Sequence, residues 1–202
     1  IEELFDGYAE KFETDLKDNL AYHSPEYLAK LVKPKMHKDG SLRVLDLGCG
    51  TGLVGHQISG LYDELIGVDL SQKMLDLAAL KGLYNSLHQA DIQEYLLCEK
   101  LGYDFIFAAD VFVYIGNLDP IFKLIKERNN ISGIFAFTTE HSKSGDYSLQ
   151  SSGRFSHSAA YISDLCQKYN YCILQHKIMD LRKEGGKYLS GGYYVLKFNS
   201  DE

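Results

Sequence analysis

The sequence predicts an α/β protein: a doubly wound parallel sheet behind an N-terminal helical cap, closed by a C-terminal antiparallel β-hairpin. Three observations predict it. From Leu42 onward, short apolar runs alternate five times with amphipathic stretches, the pattern of parallel strands joined by crossover helices. The first of these runs, Val44-Leu45-Asp46-Leu47, empties into glycines at alternate positions, Gly48, Gly50 and Gly52, where a backbone turns sharply and approaches a ligand closely. Near the end, residues 171–181 and 188–198 form two long β-type runs around the short turn Lys183-Glu184-Gly185-Gly186-Lys187, a hairpin signal.

The elements follow in chain order. Residues 1–38 carry helical periodicity in Leu4, Phe5, Tyr8 and Phe12 and again in Tyr27, Leu28 and Leu31, with Ser24-Pro25 as N-cap and first turn, and they read as a helical cap. Residues 42–140 read as a ligand-binding core, with strands at 43–47, 64–68, 87–89, 104–108 and 132–138 and helices at 54–59, 72–81, 91–97 and 120–128. Residues 141–202 read as an acceptor-binding lid followed by the hairpin, because the serine- and glycine-rich stretch 142–158 is longer than an ordinary connection. With 202 residues, 45% hydrophobic, and neither linker nor repeat, the chain is expected to form one domain over residues 1–202.

Composition narrows the partners. A net charge of −7 supplies no excess positive field for holding phosphate backbones, which argues against nucleic acid. No apolar run approaches the roughly 18 residues that a membrane helix requires. Cys49, Cys98, Cys166 and Cys172 show no C-x-x-C pair, so neither a metal site nor a disulfide framework is expected. These features predict a cytoplasmic protein that acts on a small molecule, with no nucleic-acid or membrane partner; nothing in the sequence sets its oligomeric state.

Gly50-Thr51-Gly52-Leu53-Val54-Gly55 matches G-x-G-x-x-G literally, which admits a nicotinamide or flavin dinucleotide. Asp46 argues against that reading, because an anion inside the strand disfavours a pyrophosphate on the following helix. S-adenosylmethionine, with its sulfonium and ammonium, suits the acid. Its contacts are then expected from Asp46, Gly48, Cys49, Gly50, Gly52 and Leu53 of the first strand and loop. Asp69 ends the second strand 19 residues after Gly50, where a carboxylate accepts both hydroxyls of a ribose. A helix N-cap is its rival role, for which Ser71 is better placed. Leu70 and Met74 follow as apolar neighbours of the adenosine. After the third strand, Asp91 pairs a polar handle for an adenine amino group with the apolar wall of Ile92, and an N-cap role for Asp91 is compatible with this.

Asp46-Leu47-Gly48-Cys49-Gly50-Thr51-Gly52, Gly67-Val68-Asp69-Leu70-Ser71, Ala90-Asp91-Ile92 and Ala108-Ala109-Asp110-Val111 together resemble the successive motifs of the Rossmann-like (class I) S-adenosylmethionine-dependent methyltransferases. The resemblance implies a seven-stranded sheet with the terminal antiparallel hairpin, methyl transfer as the activity, and cofactor contact by Ala109. More narrowly, Phe5-Asp6-Gly7-Tyr8-Ala9, the run from Asp110 to Leu118, and Gly153-Arg154-Phe155-Ser156-His157-Ser158 with Tyr161 are similar to methyltransferases associated with tetratricopeptide repeats. By that likeness Tyr8 closes over the methionine end of the cofactor.

Methyl transfer from a sulfonium is an in-line displacement, so alignment and water exclusion supply most of the catalysis. The acceptor is expected beyond the fourth strand, with Asp110 as base or orienting acid and Tyr114 as pocket wall. Glu140, His141, Arg154, His157 and Tyr161 come from the polar stretch after the fifth strand. His157 or His141 offers an imidazole that titrates near neutrality, and Arg154 offers a fork for an acidic substrate. The rival reading makes these five the surface residues of a mobile loop. The expected reaction is methyl transfer to an O, N or C atom of a small molecule, acids among the candidates. A dinucleotide-dependent oxidoreductase and a non-catalytic cofactor-binding module are the alternatives.

Overall fold

The computed structural model describes residues 22–36, 41–99, 101–184 and 186–199. Most of the expected cap, including Tyr8 and its neighbouring motif, lies outside the described residues; within them helix α1 spans Ser24–Val32. There follow β1 (Arg43–Leu47), α2 (Leu53–Gln57), β2 (Glu64–Asp69), α3 (Gln72–Leu80), β3 (Ser86–Gln89), α4 (Ile92–Cys98), β4 (Tyr103–Ala108) and α5 (Asp119–Arg128). The chain continues through β5 (Asn129–Ser142), β6 (Tyr147–Leu149), β7 (Phe155–Ser158), α6 (Ala159–Lys168), β8 (Tyr171–Glu184) and β9 (Lys187–Phe198).

Strands β3-β2-β1-β4-β5 lie side by side and parallel. Strand β9 runs antiparallel on the far edge of β5, and β8 runs antiparallel on β9. These seven strands make the Rossmann-like arrangement with its terminal hairpin, within a sheet that β7 and β6 extend to nine strands, two more than expected. Strand order reverses between β1 and β4, so the crevice at their carboxyl ends is where an open α/β sheet takes its ligand.

The structure corrects the reading of residues 142–158 as a loop. Strand β7 pairs in parallel with Glu140, His141 and Ser142, and β6 pairs antiparallel with β7. Glu140 is bracketed by Ser156 on one side and Gly191 of β9 on the other, so β7 occupies the same edge of β5 as β4, beyond the point where β4 has ended. Helix α6 also follows where no element was expected; Ser158 caps it by accepting the Tyr161 amide, and it buries Tyr161, Ile162, Leu165 and Cys166. Ser24 does not cap α1 as expected. Its hydroxyl turns inward to the Tyr193 hydroxyl at 3.1 Å and ties the helix to β9.

Successive residues of each central strand point into different cores, which is why the strands read as continuous apolar runs. One face packs Leu45, Leu47, Ile106, Phe135 and Phe137 against α4, α5 and α6; the other packs Val44, Phe105, Phe107 and Val195 against α1 and α2. Tyr193 and Tyr194 divide between the two cores, and Tyr194 stacks on Phe137 with ring centroids 5.0 Å apart. Phe135 in turn stacks on Phe137 at 4.6 Å and meets Phe112 and Phe122 edge-on.

Asp46 alternates with Val44 and therefore occupies a core position. It is 1% exposed, the Tyr84 hydroxyl donates to its Oδ2 at 2.7 Å, and its Oδ1 has no partner among the described residues. Burial lifts its pKa from 3.8 to about 7, against the lowering effect of the Tyr84 hydrogen bond and with a further rise from Asp69.

Two outcomes follow from this packing. Phe135→Ala removes a fully buried ring and should cost roughly 3–5 kcal/mol in urea denaturation; a loss under about 1 kcal/mol would mean the aromatic stack is not a structural centre. Asp46 has a folded-state pKa above its unfolded value, so its contribution is fully present below about pH 4 and lost as pH rises through about 7, on the order of 4 kcal/mol in all. Asp46→Asn should therefore be more stable relative to the parent at pH 8 than at pH 5, and identical pH slopes for the two proteins would contradict the buried, neutral carboxyl.

Candidate active site

The turn after β1 holds Gly48, Gly50 and Gly52 at φ of 65°, 52° and 86°. Gly52 is the N-cap of α2 in the left-handed region, and a Cβ on it would come within 2.9 Å of the Tyr84 ring. Only glycine meets both conditions there. Tyr84 thus fills the space beneath the turn while its hydroxyl holds Asp46, so the ring, the acid and the glycine are parts of one packing arrangement.

Asp69 fastens this turn to the neighbouring strand. Its Oδ2 accepts the Gly50 amide at 2.8 Å and its Oδ1 accepts the Ser71 amide at 2.9 Å. Ser71 caps α3 by accepting the Met74 amide, as expected. Asp91 caps α4, its Oδ1 accepting the amides of Gln93 and Glu94 at 2.8 and 3.3 Å. A cleft of about 520 Å³ opens above these strand ends, a size typical of small-molecule sites. Gly48, Cys49, Gly50 and Leu53 line it from the turn. From the next two strand ends come Asp69, Leu70 and Met74, then Asp91 and Ile92, with Ala109 after β4. Two expected contacts stand elsewhere: Asp46 is buried behind the turn, and Gly52 faces Tyr84.

The opposite end of the cleft is built around a guanidinium. Arg182 of β8, 5% exposed, donates through Nη1 to Asp110 Oδ1 at 2.7 Å and through Nη2 to Glu140 of β5. Asp110 follows β4 with φ of 58°, a conformation rare outside glycine, and its amide donates to Thr138 Oγ1 at 2.8 Å. Burial raises the Glu140 pKa, and Arg182 works against that rise. Nearer the surface, Arg154 donates to Glu184 Oε2 at 2.9 Å and also reaches the Tyr114 hydroxyl. Tyr22, Tyr114 and Lys183 complete this end, and the Tyr22 and Tyr114 pKa values are raised, first by burial and then by Asp110.

His157 is not where a general base was expected. It is fully buried, outside the cleft lining, with Nε2 at 3.0 and 2.9 Å from the carbonyls of Ile115 and Gly116. Two acceptors facing Nε2 require the proton there, and burial lowers the pKa, so the ring is a neutral donor. Tyr161 acts alongside it: its hydroxyl accepts the Leu118 amide at 2.9 Å and bonds Asn117 at 3.2 Å. Glu140 and His141 belong to β5 rather than to a loop.

Sequence reasoning missed Arg182, Glu184, Lys183 and Tyr22. The first three sit at the tip of the terminal hairpin, where charged residues read as turn punctuation. Arg182 follows directly on the apolar run that ends at Leu181, and nothing in the sequence marks it as buried. Tyr22 stands in no motif.

A family model described as a methyltransferase domain matches residues 38–189. The chain is 28% identical over 143 residues to the malonyl-(acyl-carrier protein) O-methyltransferase of Bacillus cereus, a match covering 69% of this chain and 52% of that protein. It therefore spans about half the length of this relative. An S-adenosylmethionine-dependent methyltransferase from Clostridium acetobutylicum superposes with a TM-score of 0.70 at 17% identity, covering 98% of this chain and 100% of that one. Magnesium protoporphyrin IX methyltransferase from Synechocystis PCC 6803, solved with bound SAH, gives 0.67 at 13% identity and covers 87% of this chain and 82% of its own. At such identities the two structures speak for the fold, whereas the family model spans residues 38–189 of 202: the chain belongs to the methyltransferase-domain family.

Proposed function

We propose that this chain transfers the methyl group of S-adenosylmethionine to an O, N or C atom of a small molecule, acids among the candidates. The observation that carries the reading is the row of strand ends beneath one cleft: a glycine turn after β1, Asp69 at the end of β2 and Asp91 after β3. In this reading Asp69 receives the ribose hydroxyls and Asp91 the adenine amino group, while Ile92, Leu70 and Met74 wall the adenosine. The backbone from Gly48 to Gly52, with Cys49, Leu53 and Ala109, borders the methionine portion, over which Tyr8 closes by the family resemblance. Asp46 acts from behind, setting the shape of the turn through Tyr84. A dinucleotide fits less well: α2 has five residues and so a weak dipole for a pyrophosphate.

Bound S-adenosylmethionine supplies an electrophilic methyl on a sulfonium. The chain's residues then have to align an acceptor and exclude water. Asp110, fixed by Arg182 and Thr138, orients the acceptor or takes its proton; Tyr114 walls the pocket and Arg154 meets an acidic group. His157 positions the wall formed by the segment after β4. Residues 42–140 hold the cofactor in this scheme and residues 141–202 shape the acceptor side, all within one domain. The malonyl carrier named for the Bacillus cereus relative is consistent with an acidic acceptor. Kinship with the tetratricopeptide-associated methyltransferases is the narrower form of the same proposal.

Calorimetry with SAH and with NAD tests the cofactor, and binding of NAD alone would overturn the reading. Asp69→Ala should weaken SAH by roughly 1–3 kcal/mol, the scale of hydrogen bonds to a charged group; an unchanged Kd would remove Asp69 from the ribose. Incorporation of labelled methyl across a metabolite panel tests turnover. His157→Ala leaves two carbonyls without their donor and should cost about 1–2 kcal/mol of stability and lower kcat. The shape of its pH–rate profile should match the parent's, whereas loss of the acidic limb would reinstate His157 as a general base.

A further inference from the structure

We infer that the acceptor carries an anionic handle, a carboxylate or phosphate set apart from its reacting atom, and that the handle docks on Arg154 in exchange for Glu184. The inference rests on the methyl-transfer reading and deepens it by naming the substrate class.

The argument begins with how charge is distributed along the acceptor end. Its deep part carries Asp110 and Glu140 against Arg182 alone, an excess of one negative charge, with side chains 17%, 8% and 5% exposed. An anion does not belong there. The outer part is different: Arg154 and Glu184 are 27% and 40% exposed and form a single pair. Next to Glu184 stands Lys183, whose ammonium lies 4.9 Å from the centroid of the Tyr188 ring and has no carboxylate partner among the described residues. The outer part is therefore cationic by one charge, and by two once Glu184 leaves.

The pair also differs in kind from the buried cluster. Asp110, Glu140 and Arg182 are held by burial, and Arg182, bonded from two sides, cannot leave without stranding both carboxylates. Glu184 ends β8 at the hairpin turn, and its partner sits beside the other, β6–β7, hairpin. An exposed pair between two such hairpins holds weakly and exchanges readily. Glu184 places on Arg154, at the cleft wall, the very group an acidic substrate would bring. Arg154 presents a planar fork suited to a carboxylate or phosphate, and the Tyr114 hydroxyl beside it adds a hydrogen-bonding group. The reacting atom then lies deeper, on the Asp110 side.

The test titrates malonate, inorganic phosphate and the uncharged malonamide into the SAH-saturated protein by calorimetry. Glu184→Gln removes the internal competitor and should tighten malonate or phosphate at least about threefold, a gain that misfolding cannot produce. Arg154→Gln should weaken the same anions about tenfold or more while SAH affinity holds. Stronger malonate binding identifies a carboxylate handle, and stronger phosphate binding a phosphate handle. Malonamide binding as well as malonate, or equal anion affinity in the parent and both variants, overturns the inference. Failure of SAH to bind would instead overturn the methyl-transfer reading; the anion titrations without SAH would still judge the handle.

Discussion

Two carboxylates facing one buried guanidinium form the constraint on which the acceptor half of this molecule depends. Asp110 comes from the end of β4, Glu140 from β5 and Arg182 from β8, so the charges can be satisfied only when three separate elements have docked. Removing the shared partner of buried charges typically costs about 3–5 kcal/mol, and here loss of Arg182 would strand both carboxylates in a medium that solvates them poorly. The cluster is thus a condition on the terminal hairpin's register rather than a source of surplus stability. It also accounts for the backbone at Asp110: a non-glycine residue at φ of 58° persists because its carboxylate and its amide are both held, by Arg182 and Thr138.

The same economy runs along the whole carboxyl edge of the sheet. Asp69 ends β2, Asp91 and Asp110 stand just beyond β3 and β4, and each does a local structural job. Asp69 bridges two turns, Asp91 caps a helix, and Asp110 anchors a hairpin. All three also line the cleft. Parallel strands deliver their ends to one side, and the turns that leave them need acceptors for unpaired amides. Residues that meet that need are placed, without further design, where a ligand's hydroxyl and amino groups arrive.

How much of this was legible in the sequence depended on where each residue's partner lies. Strands β1, β2 and β4 read clearly because both of their faces are buried, and the glycine turn reads because positive φ combines with a packed neighbour at Gly48 and Gly52, where a Cβ would strike Val111 and Tyr84. The short strands β6 and β7 did not read: Tyr147-Ser148-Leu149 and Phe155-Ser156-His157-Ser158 offer three and four residues with no sustained apolar alternation, and their pairing is dictated by an open edge on β5. Helix α6 was readable in principle from Tyr161, Ile162, Leu165 and Cys166 behind the Ser158 cap. Arg182 was not, since its partners are 72 and 42 residues away. His157 looked like a base because imidazole titrates near neutrality; what holds it is backbone, which no side-chain motif announces.

The added β6–β7 hairpin explains how the wall of the cleft is kept in place. Beyond Ala108 the chain leaves the sheet, and β5 would show an unpaired edge from Glu140 to Ser142 had β7 not taken it. In taking that edge, β7 brings His157 against the carbonyls of Ile115 and Gly116, and α6 behind it brings Tyr161 to the Leu118 amide. With Thr138 holding Asp110 at the other end, the segment from Asp110 to Leu118 is fastened at its start, middle and finish. A displacement reaction asks above all for fixed geometry, and here the strands that complete an open sheet edge are also the ones that fix the acceptor wall.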